Sequence, residues 1–284
     1  MNHFASGPKR HYYGKRDVIV YRVNRNLHTP ASANPVFGAS VMMLLYGEAF
    51  WNTYATGDNT GLIATDSIKN FIQRETMMFE GHDLEGYCRF LAEKFLDKYS
   101  QVEGLQVSAD EIPFARPAGS VALLPSGPEQ ATARLELDRR AIVEVASGIR
   151  GFQLVRLTGS AFSGFVRDEY TTLPDLKNRP LNMGLDLEWT YSTPSAAFTG
   201  GILASRVRDI VRHVFESFES ASIQQLIHEM GTRLLTEIPA MEAVHLEASN
   251  RTWDTIAEKS SSELGVYTDA RPAFGCLGLT LTRG

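Results

Sequence analysis

The sequence predicts an α+β fold in which one antiparallel module of strands and helices occurs twice in tandem. Two observations lead to this prediction. A stretch of about 40 residues matches a later stretch without a gap, at a constant offset of 139 residues. Two strand-like runs precede each copy of this stretch, and each copy ends in a further strand. The chain is therefore expected to contain two similar modules.

The repeat is clearest in the helical part of each copy. Apolar residues recur there at intervals of three and four, which predicts a pair of amphipathic helices in each copy. In the first copy, Asp66 and Ser67 belong to the residue types that cap helices. The aligned positions pair Phe71 with Ile210, Leu84 with Ile223, Leu91 with Met230, Phe95 with Leu234 and Val107 with Leu246. Duplication explains this ungapped match better than a chance similarity between two helical hairpins.

Strand-like runs with short connections flank both helix pairs. Residues 18–23 and 40–50 precede the first pair, and residues 152–157 and 185–191 precede the second. Alternating strands joined by short loops favour antiparallel pairing over a parallel sheet. Each module is therefore predicted to run β-β-α-α-β-β, with its helices on one face of the sheet.

A loop region separates the modules, which we assign to residues 12–147 and 148–284. Residues 113–129 are rich in Pro, Gly, Ala and Ser and predict a loop. A closing hairpin is expected to follow, with strands at 133–137 and 141–145. Helices on one sheet face leave the other face in need of cover. A homo-oligomer whose sheets close on one another is therefore expected.

Composition excludes several classes of protein. The 284 residues carry a formal net charge of −5. This mild acidity gives no electrostatic case for binding nucleic acid, which usually needs a clustered basic face. No apolar run is long enough to span a membrane. Neither an apolar secretion signal nor a C-terminal Ser-Lys-Leu is present, so we expect a cytoplasmic protein. Cys88 and Cys276 lie in apolar sequence and are expected to be buried, reduced thiols.

Four polar segments stand beside the predicted elements and could carry chemistry. They are residues 13–15, 57–70, 162–180 and 249–253. Each also has an ordinary structural interpretation. Lys15 could be an exposed lysine, Thr65-Asp66 a helix N-cap, and Gln224 a routine polar residue of a first helical turn. The histidines lack metal-ligand spacing, and the phosphate-binding and dinucleotide glycine motifs are absent. The residues alone therefore leave the function open.

The motifs in these segments resemble those of urate oxidases. The strings YGK (13–15), GDN (57–59), ATDSIKN (64–70) and GFVRDEYTTL (164–173) match that family's signature segments in the family's order. The resemblance runs from about residue 12 to residue 282, nearly the whole chain. It implies two tandem tunnelling-fold modules in each subunit, assembled as a homotetramer around a central tunnel. It also implies active sites at the subunit interfaces.

The resemblance implies a purine pocket. Phe162 would stack under the ring, Arg179 would grip one side of urate with its planar fork, and the Gln224 amide would pair with the opposite edge. The implied substrate-binding residues are Thr65, Asp66, Phe162, Leu173, Arg179, Ile223, Gln224, Asn250 and Leu277. Among these, Thr65 and Asp66 would come from the neighbouring subunit, as would Lys15.

The reaction implied by the resemblance is the oxidation of urate by O2 to 5-hydroxyisourate, with release of hydrogen peroxide. No cofactor or metal is expected, because deprotonated urate itself donates electrons to oxygen. Asn250 would hold oxygen or water above the ring. The implied catalytic residues are Lys15, Thr65 and Thr252, and Lys15 and Thr65 among them would form the proton relay.

One position departs from the family pattern. Many members carry a histidine two residues after the asparagine, where this chain has Thr252. A threonine hydroxyl can pass a proton along but cannot store one near neutral pH. Two other readings stay open. One is an enzyme of the same fold that acts on a pterin or another purine, and the other is a urate-binding protein without catalysis.

Overall fold

The computed structural model describes residues 11–25, 35–117, 120–259, 262 and 264–284. It is an α+β protein with antiparallel sheets, as the sequence predicts. The chain divides into two compact units. The first contains the chain up to Ser147 together with Thr193–Gly201, and the second contains Gly148–Ser192 and Ile202–Gly284. In the described part of the chain, no helix is long and apolar enough to cross a membrane.

The first unit follows the predicted order of elements. Its strands are β1 (Tyr13–Val23), β2 (Val36–Tyr46), β3 (Gly104–Glu111), the short β4 (Phe114–Ala115) and β5 (Leu124–Pro125), and β6 (Gln130–Asp138). Its helices are α1 (Trp51–Thr56), α2 (Thr65–Glu75) and α3 (Leu84–Lys98). The main strands pair antiparallel in the order β1-β2-β3-β6. The two helices of the predicted pair are thus α2 and α3.

The alternation of buried and exposed residues along the strands shows which face of the first sheet the helices cover. Helix α2 packs on β1, and helix α3 packs on β3 and β6. On β1, Val18 and Val20 are buried while Ile19 and Tyr21 are exposed. Because successive strand residues point to opposite faces, the buried pair marks the face that the helices cover. The predicted amphipathic pair is therefore confirmed as the source of this unit's core.

The second unit repeats the arrangement. It contains the second part of β7 (Ile142–Arg156), then β8 (Leu181–Tyr191), α4 (Ala204–Ser217), α5 (Ile223–Glu237), β9 (Met241–Asn250), β10 (Asp254–Glu258), β11 (Gly265–Thr268) and β12 (Gly275–Thr282). The order of the main strands is β7-β8-β9-β12, and β10 and β11 form a separate hairpin. Helix α5 packs on β9 and β12. On β9, Val244, Leu246 and Ala248 are buried, whereas Glu242, His245 and Glu247 on the opposite face are exposed.

Three local predictions are wrong. The runs 141–145 and 152–157 belong to one strand, β7, since Gly151 adopts a φ of 71° and donates its N–H to Asp186 Oδ1 (2.7 Å), so the strand bends without ending. Residues Glu48–Phe50 form a 3-10 turn rather than a strand extension, with Phe50 N–H bonded to the Gly47 carbonyl (3.1 Å). Cys88 is buried as expected, but Cys276 is exposed on strand β12.

A glycine sets the close approach of α5 to its sheet. A Cβ at Gly231 would lie 2.8 Å from Leu281 Cδ1 and 3.1 Å from Leu246 Cδ1. We expect Gly231→Val to lower the free energy of unfolding by about 1–3 kcal/mol, since the added methyl groups overpack this contact. Denaturant unfolding measures the change. Thr232→Val, at the exposed next position, should stay within about 0.5 kcal/mol. Equal stability of the two variants would show that the helix can move away without cost.

Candidate active site

Backbone hydrogen bonds bring three polar segments of the second unit together. Phe162 and Leu176 exchange both backbone bonds, at 2.7 and 2.9 Å. The Arg179 N–H donates to the Ser160 carbonyl (2.9 Å). The Ala161 N–H donates to the Ser220 carbonyl (2.8 Å). The segment that carries Phe162, the segment that carries Arg179 and the segment that leads into α5 therefore meet at one place.

A partly buried guanidinium holds two of these segments against the end of α4. Arg156 donates from Nη1 to the carbonyls of Phe215 and Phe218 (both 2.7 Å). From Nη2 it donates to the Gly159 carbonyl (2.8 Å) and to Ser220 Oγ (2.6 Å). Burial lowers the pKa of Arg156 from its usual value. Sequence reasoning assigned this residue no role, because a lone arginine in a strand has no recognisable motif.

Arg179 offers donors that the protein itself does not use. Its guanidinium carbon lies 5.8 Å from the centroid of the Phe162 ring. Its Nε is buried and has no hydrogen-bond partner among the described residues. The pKa of Arg179 is lowered by burial. A partly buried cation beside an aromatic face is suited to a flat, negatively charged ligand that accepts hydrogen bonds.

A second aromatic ring supports Phe162. The Phe165 ring stacks on it with centroids 4.9 Å apart and planes 13° from parallel. Arg167 covers Phe165 at 5.0 Å and pairs with Asp175 at 3.3 Å. Its Nη1 also donates to the carbonyl of Leu173 (3.3 Å), whose side chain is exposed. Phe165 lies in a segment that is prominent in the sequence, but its role was not predictable, since only the folded loop shows which aromatic residues stack.

The first turn of α5 is held by its own side chains. Ser222 Oγ accepts from the Gln225 N–H (3.1 Å), and Gln225 Oε1 accepts from the Ala221 N–H (2.8 Å). This reciprocal arrangement satisfies two backbone donors at the helix start. Ile223 is then buried, and Gln224 is exposed on the first turn. Helix N-termini favour anions, so the turn adds to the preference of the neighbouring arginine.

Asn250 and Thr252 lie where β9 ends. Asn250 pairs with Met183 on one side and with Gly275 on the other. Its Oδ1 accepts from the Thr252 N–H (3.1 Å) and from the Thr252 hydroxyl (2.5 Å). Leu277 lies on β12 and is partly buried. The second unit therefore carries all of the implied binding residues except Thr65 and Asp66.

The first unit shows what each residue of the 13–15 motif does. The Tyr13 hydroxyl accepts from the Ile63 N–H (3.1 Å), and burial raises the pKa of Tyr13 to about 12. A Cβ at Gly14 would lie 1.9 Å from the Met43 carbonyl oxygen, so only glycine fits there. Lys15 pairs with Met43, whose side chain is fully buried on the helix-covered face. The motif therefore presents Lys15 on the same face as α2.

A β-bulge makes this presentation possible. Lys15 pairs with Met43 and Val18 with Val41, so Arg16 and Asp17 together face a single residue of β2. Asp17 has a φ of 57°, in the left-handed region. The extra residue reverses the alternation of side chains, which puts Lys15 and Val18 on one face.

Thr65 and Asp66 begin α2, but not as the N-cap that a Thr-Asp pair could form. The N-cap position is Ala64, with no side-chain capping bond. Asp66 instead accepts from Lys69 Nζ (2.6 Å) and Asn70 Nδ2 (2.9 Å). The bond from Lys69 chiefly lowers the pKa of Asp66, and the charge of Lys15 contributes.

The implied site residues thus form two groups, one in each unit. Phe162, Arg179 and the start of α5 are brought together in the second unit. In the first unit, Lys15 lies on the sheet face that is packed against α2, the helix that Thr65 and Asp66 begin. Within the part of the chain that the structure describes, no three His, Cys, Asp or Glu side chains form a group that could hold a metal ion.

Comparisons with known proteins point to one family. The Uricase family model matches residues 145–273. The uricase of Haloferax volcanii is 35% identical over 301 residues, covering 96% of this chain and 98% of that protein. The uric acid degradation bifunctional protein of Bacillus sp. TB-90 is 36% identical, covering 96% of this chain. This chain spans 60% of the length of that relative. The crystal structure of Bacillus sp. TB-90 urate oxidase has a TM-score of 0.88 at 37% identity, covering 96% of this chain and 100% of that one.

The bulge that orients Lys15 can be tested through Asp17. We expect Asp17→Val to lower the free energy of unfolding by about 1–2 kcal/mol, because a β-branched residue is strained in the left-handed region. Asp17→Gly should be as stable as the wild type or more so. Denaturant unfolding is the measurement, and Ile19→Val on the exposed face of the same strand is the control. If the valine and glycine variants at position 17 have the same free energy of unfolding, the left-handed conformation is not required.

Proposed function

Because this chain belongs to the uricase family, we propose that it oxidises urate with molecular oxygen to 5-hydroxyisourate and releases hydrogen peroxide. The observation that carries the proposal is the partly buried Arg179, whose buried Nε lacks a partner among the described residues, beside the ring of Phe162. A flat anion satisfies both groups at once, since it stacks on the ring and accepts hydrogen bonds from the guanidinium.

The proposed substrate site uses the second unit's residues. Phe162 stacks under the purine, with Phe165 supporting its ring. Arg179 donates to one edge of urate, and the Gln224 amide pairs with the other because it offers both a donor and an acceptor. The apolar walls are Leu173, Ile223 and Leu277. The proposed position of Gln224 is supported by the capped first turn of α5.

The proposed chemistry needs few groups. Urate, O2 and one water give 5-hydroxyisourate and hydrogen peroxide, with two electrons passing from the purine to oxygen and the oxygen of water adding to the purine. The protein binds the urate anion, removes a proton and shelters oxygen beside the ring. Asn250 contacts oxygen or water, and Lys15 and Thr65 relay protons. We propose that no flavin or metal takes part.

The proposed assembly is a homotetramer of tandem tunnelling-fold modules, residues 12–147 and 148–284, around a central tunnel. Thr65, Asp66 and Lys15 then reach the pocket from the neighbouring subunit. The repeated order of elements supports the tandem modules. The exposed Ile19, Tyr21 and Val23 along one face of β1 support association, since such a row of apolar side chains favours burial against a partner.

The first experiment follows the loss of urate absorbance with purified protein, with peroxide measured in parallel. We expect decay that requires oxygen, yields one peroxide per urate and continues after treatment with a chelator. Binding of urate without decay would favour the non-catalytic alternative. Neither binding nor decay would contradict the proposal, and a pterin would then be tested in the same assay.

A substitution of Arg179 tests the proposed binding role. We expect Arg179→Lys to raise KM for urate by about 10-fold to 100-fold, since a point charge replaces the planar fork and loses a charge-assisted hydrogen bond. Steady-state kinetics measure the change. Arg212→Lys, on the exposed face of α4, is the matched control and should leave KM unchanged. An unaltered KM in the Arg179 variant would remove this residue from the pocket.

A further inference from the structure

Thr252 directs both of its hydrogen-bond donors to one atom. Its backbone N–H lies 3.1 Å from Asn250 Oδ1, and its hydroxyl lies 2.5 Å from the same oxygen. Both residues are partly buried. The hydroxyl proton is therefore donated in a hydrogen bond to Asn250. In this bond it orients a neighbouring side chain and is not passed along a relay.

The backbone bond determines the orientation of the Asn250 amide. A backbone N–H can only donate, so the amide atom that faces it must be the oxygen and not the amine. The hydroxyl of Thr252 can donate or accept, and beside an oxygen it donates. The amine end, Nδ2, has no hydrogen-bond partner among the described residues. The side chain of Asn250 can therefore offer a ligand only the two N–H donors of its amine.

We infer that Thr252 is a positioning residue that fixes the Asn250 amide, so that only its amine faces the reaction site. The inference rests on the proposed function. An amide fixed in this way presents two N–H donors to an acceptor, and dioxygen becomes a strong acceptor as it gains electrons from urate. Fixed donors aimed at developing negative charge stabilise a transition state without reorganisation. Thr252 contributes to turnover through Asn250.

The surroundings hold the pair in place. Asn250 is the last residue of β9 and is paired on both sides. The Arg251 N–H donates to the Asn182 carbonyl (2.9 Å), and the Arg251 guanidinium covers the Phe274 ring at 5.3 Å. These contacts fix the backbone between the two residues, so the Thr252 donors cannot easily turn away from the amide.

The first test removes the hydroxyl and keeps the shape. We expect Thr252→Val to lower kcat by about fivefold, the factor that corresponds to one ordinary hydrogen bond, with KM for urate unchanged. Thr252→Ser should restore most of kcat, because the hydroxyl returns. Thr255→Val, the same substitution on the exposed strand β10, is the control for folding and assay. A rise in KM with kcat unchanged would overturn the inference.

A double-mutant cycle separates the positioning role from a relay. If Thr252 acts through the amide, Thr252→Val has no further effect on kcat once Asn250→Ala is present. If it is an independent member of a relay, the two losses multiply. Multiplying losses would overturn the inference. Thermal unfolding of each variant, compared with the wild type, shows that the kinetic effects do not come from misfolding.

A crystal structure of the wild type tests the contact without turnover. The inference requires Thr252 Oγ1 and Asn250 Oδ1 within about 3 Å, and an amide turned away from Thr252 would overturn it. Wild-type protein that fails to oxidise urate would instead contradict the proposed function. A failure of the inference and a failure of the proposed function are therefore distinguished by different measurements.

Discussion

The guanidinium of Arg156 binds four acceptors from the end of α4, the Gly159 carbonyl and the Ser220 side chain, and the arrangement of the second unit's polar residues depends on it. Removing part of a charge from water is costly unless its hydrogen bonds are made. The two terminal nitrogens of Arg156 make four such bonds, although its buried Nε has no partner among the described residues. A lysine at position 156 could not reproduce these bonds, because a planar fork places its donors in fixed directions. Arg156 forms no hydrogen bond to Phe162, Arg179 or Gln224. Each of these residues lies either on a segment that Arg156 binds or on a segment joined to such a segment by backbone hydrogen bonds.

In the first unit the equivalent constraint is the alternation of a strand. Lys15 could not share a face with Val18 in a regular strand, because an odd separation puts two residues on opposite sides. The bulge at Arg16 and Asp17 removes this conflict at the expense of one residue in the left-handed region. Gly14 then allows the close approach of β1 to the backbone of Met43. In both units, backbone geometry set by a few residues positions side chains that are distant in sequence.

Features that depend on local periodicity were predictable from the sequence. The helix pairs α2–α3 and α4–α5 follow from apolar residues at intervals of three and four, and the repeat fixed their order. Features that depend on distant partners were not. Strand β7 continues through Gly151, which has a positive φ and donates to Asp186 on the next strand, and the exposure of Cys276 depends on which face of β12 the helix α5 covers. The N-cap that a Thr65-Asp66 pair could form is absent because the N-cap position is Ala64, which places both residues inside the first turn of α2.

The candidate site shows the same division. The resemblance pointed to Phe162, Arg179 and Asn250 through their places in the polar segments 162–180 and 249–253, whereas the roles of Arg156 and Phe165 depend on contacts that only the folded chain shows. Thr252 illustrates why a residue type alone is a weak guide to its role. From the sequence, a threonine in place of a histidine looks like a weakened proton relay, since a hydroxyl cannot hold a proton near neutral pH. In the folded chain the hydroxyl donates to Asn250 Oδ1. If it orients that amide, as we infer, a residue without a titrating group at this position supports the reaction through Asn250 and not by holding a proton.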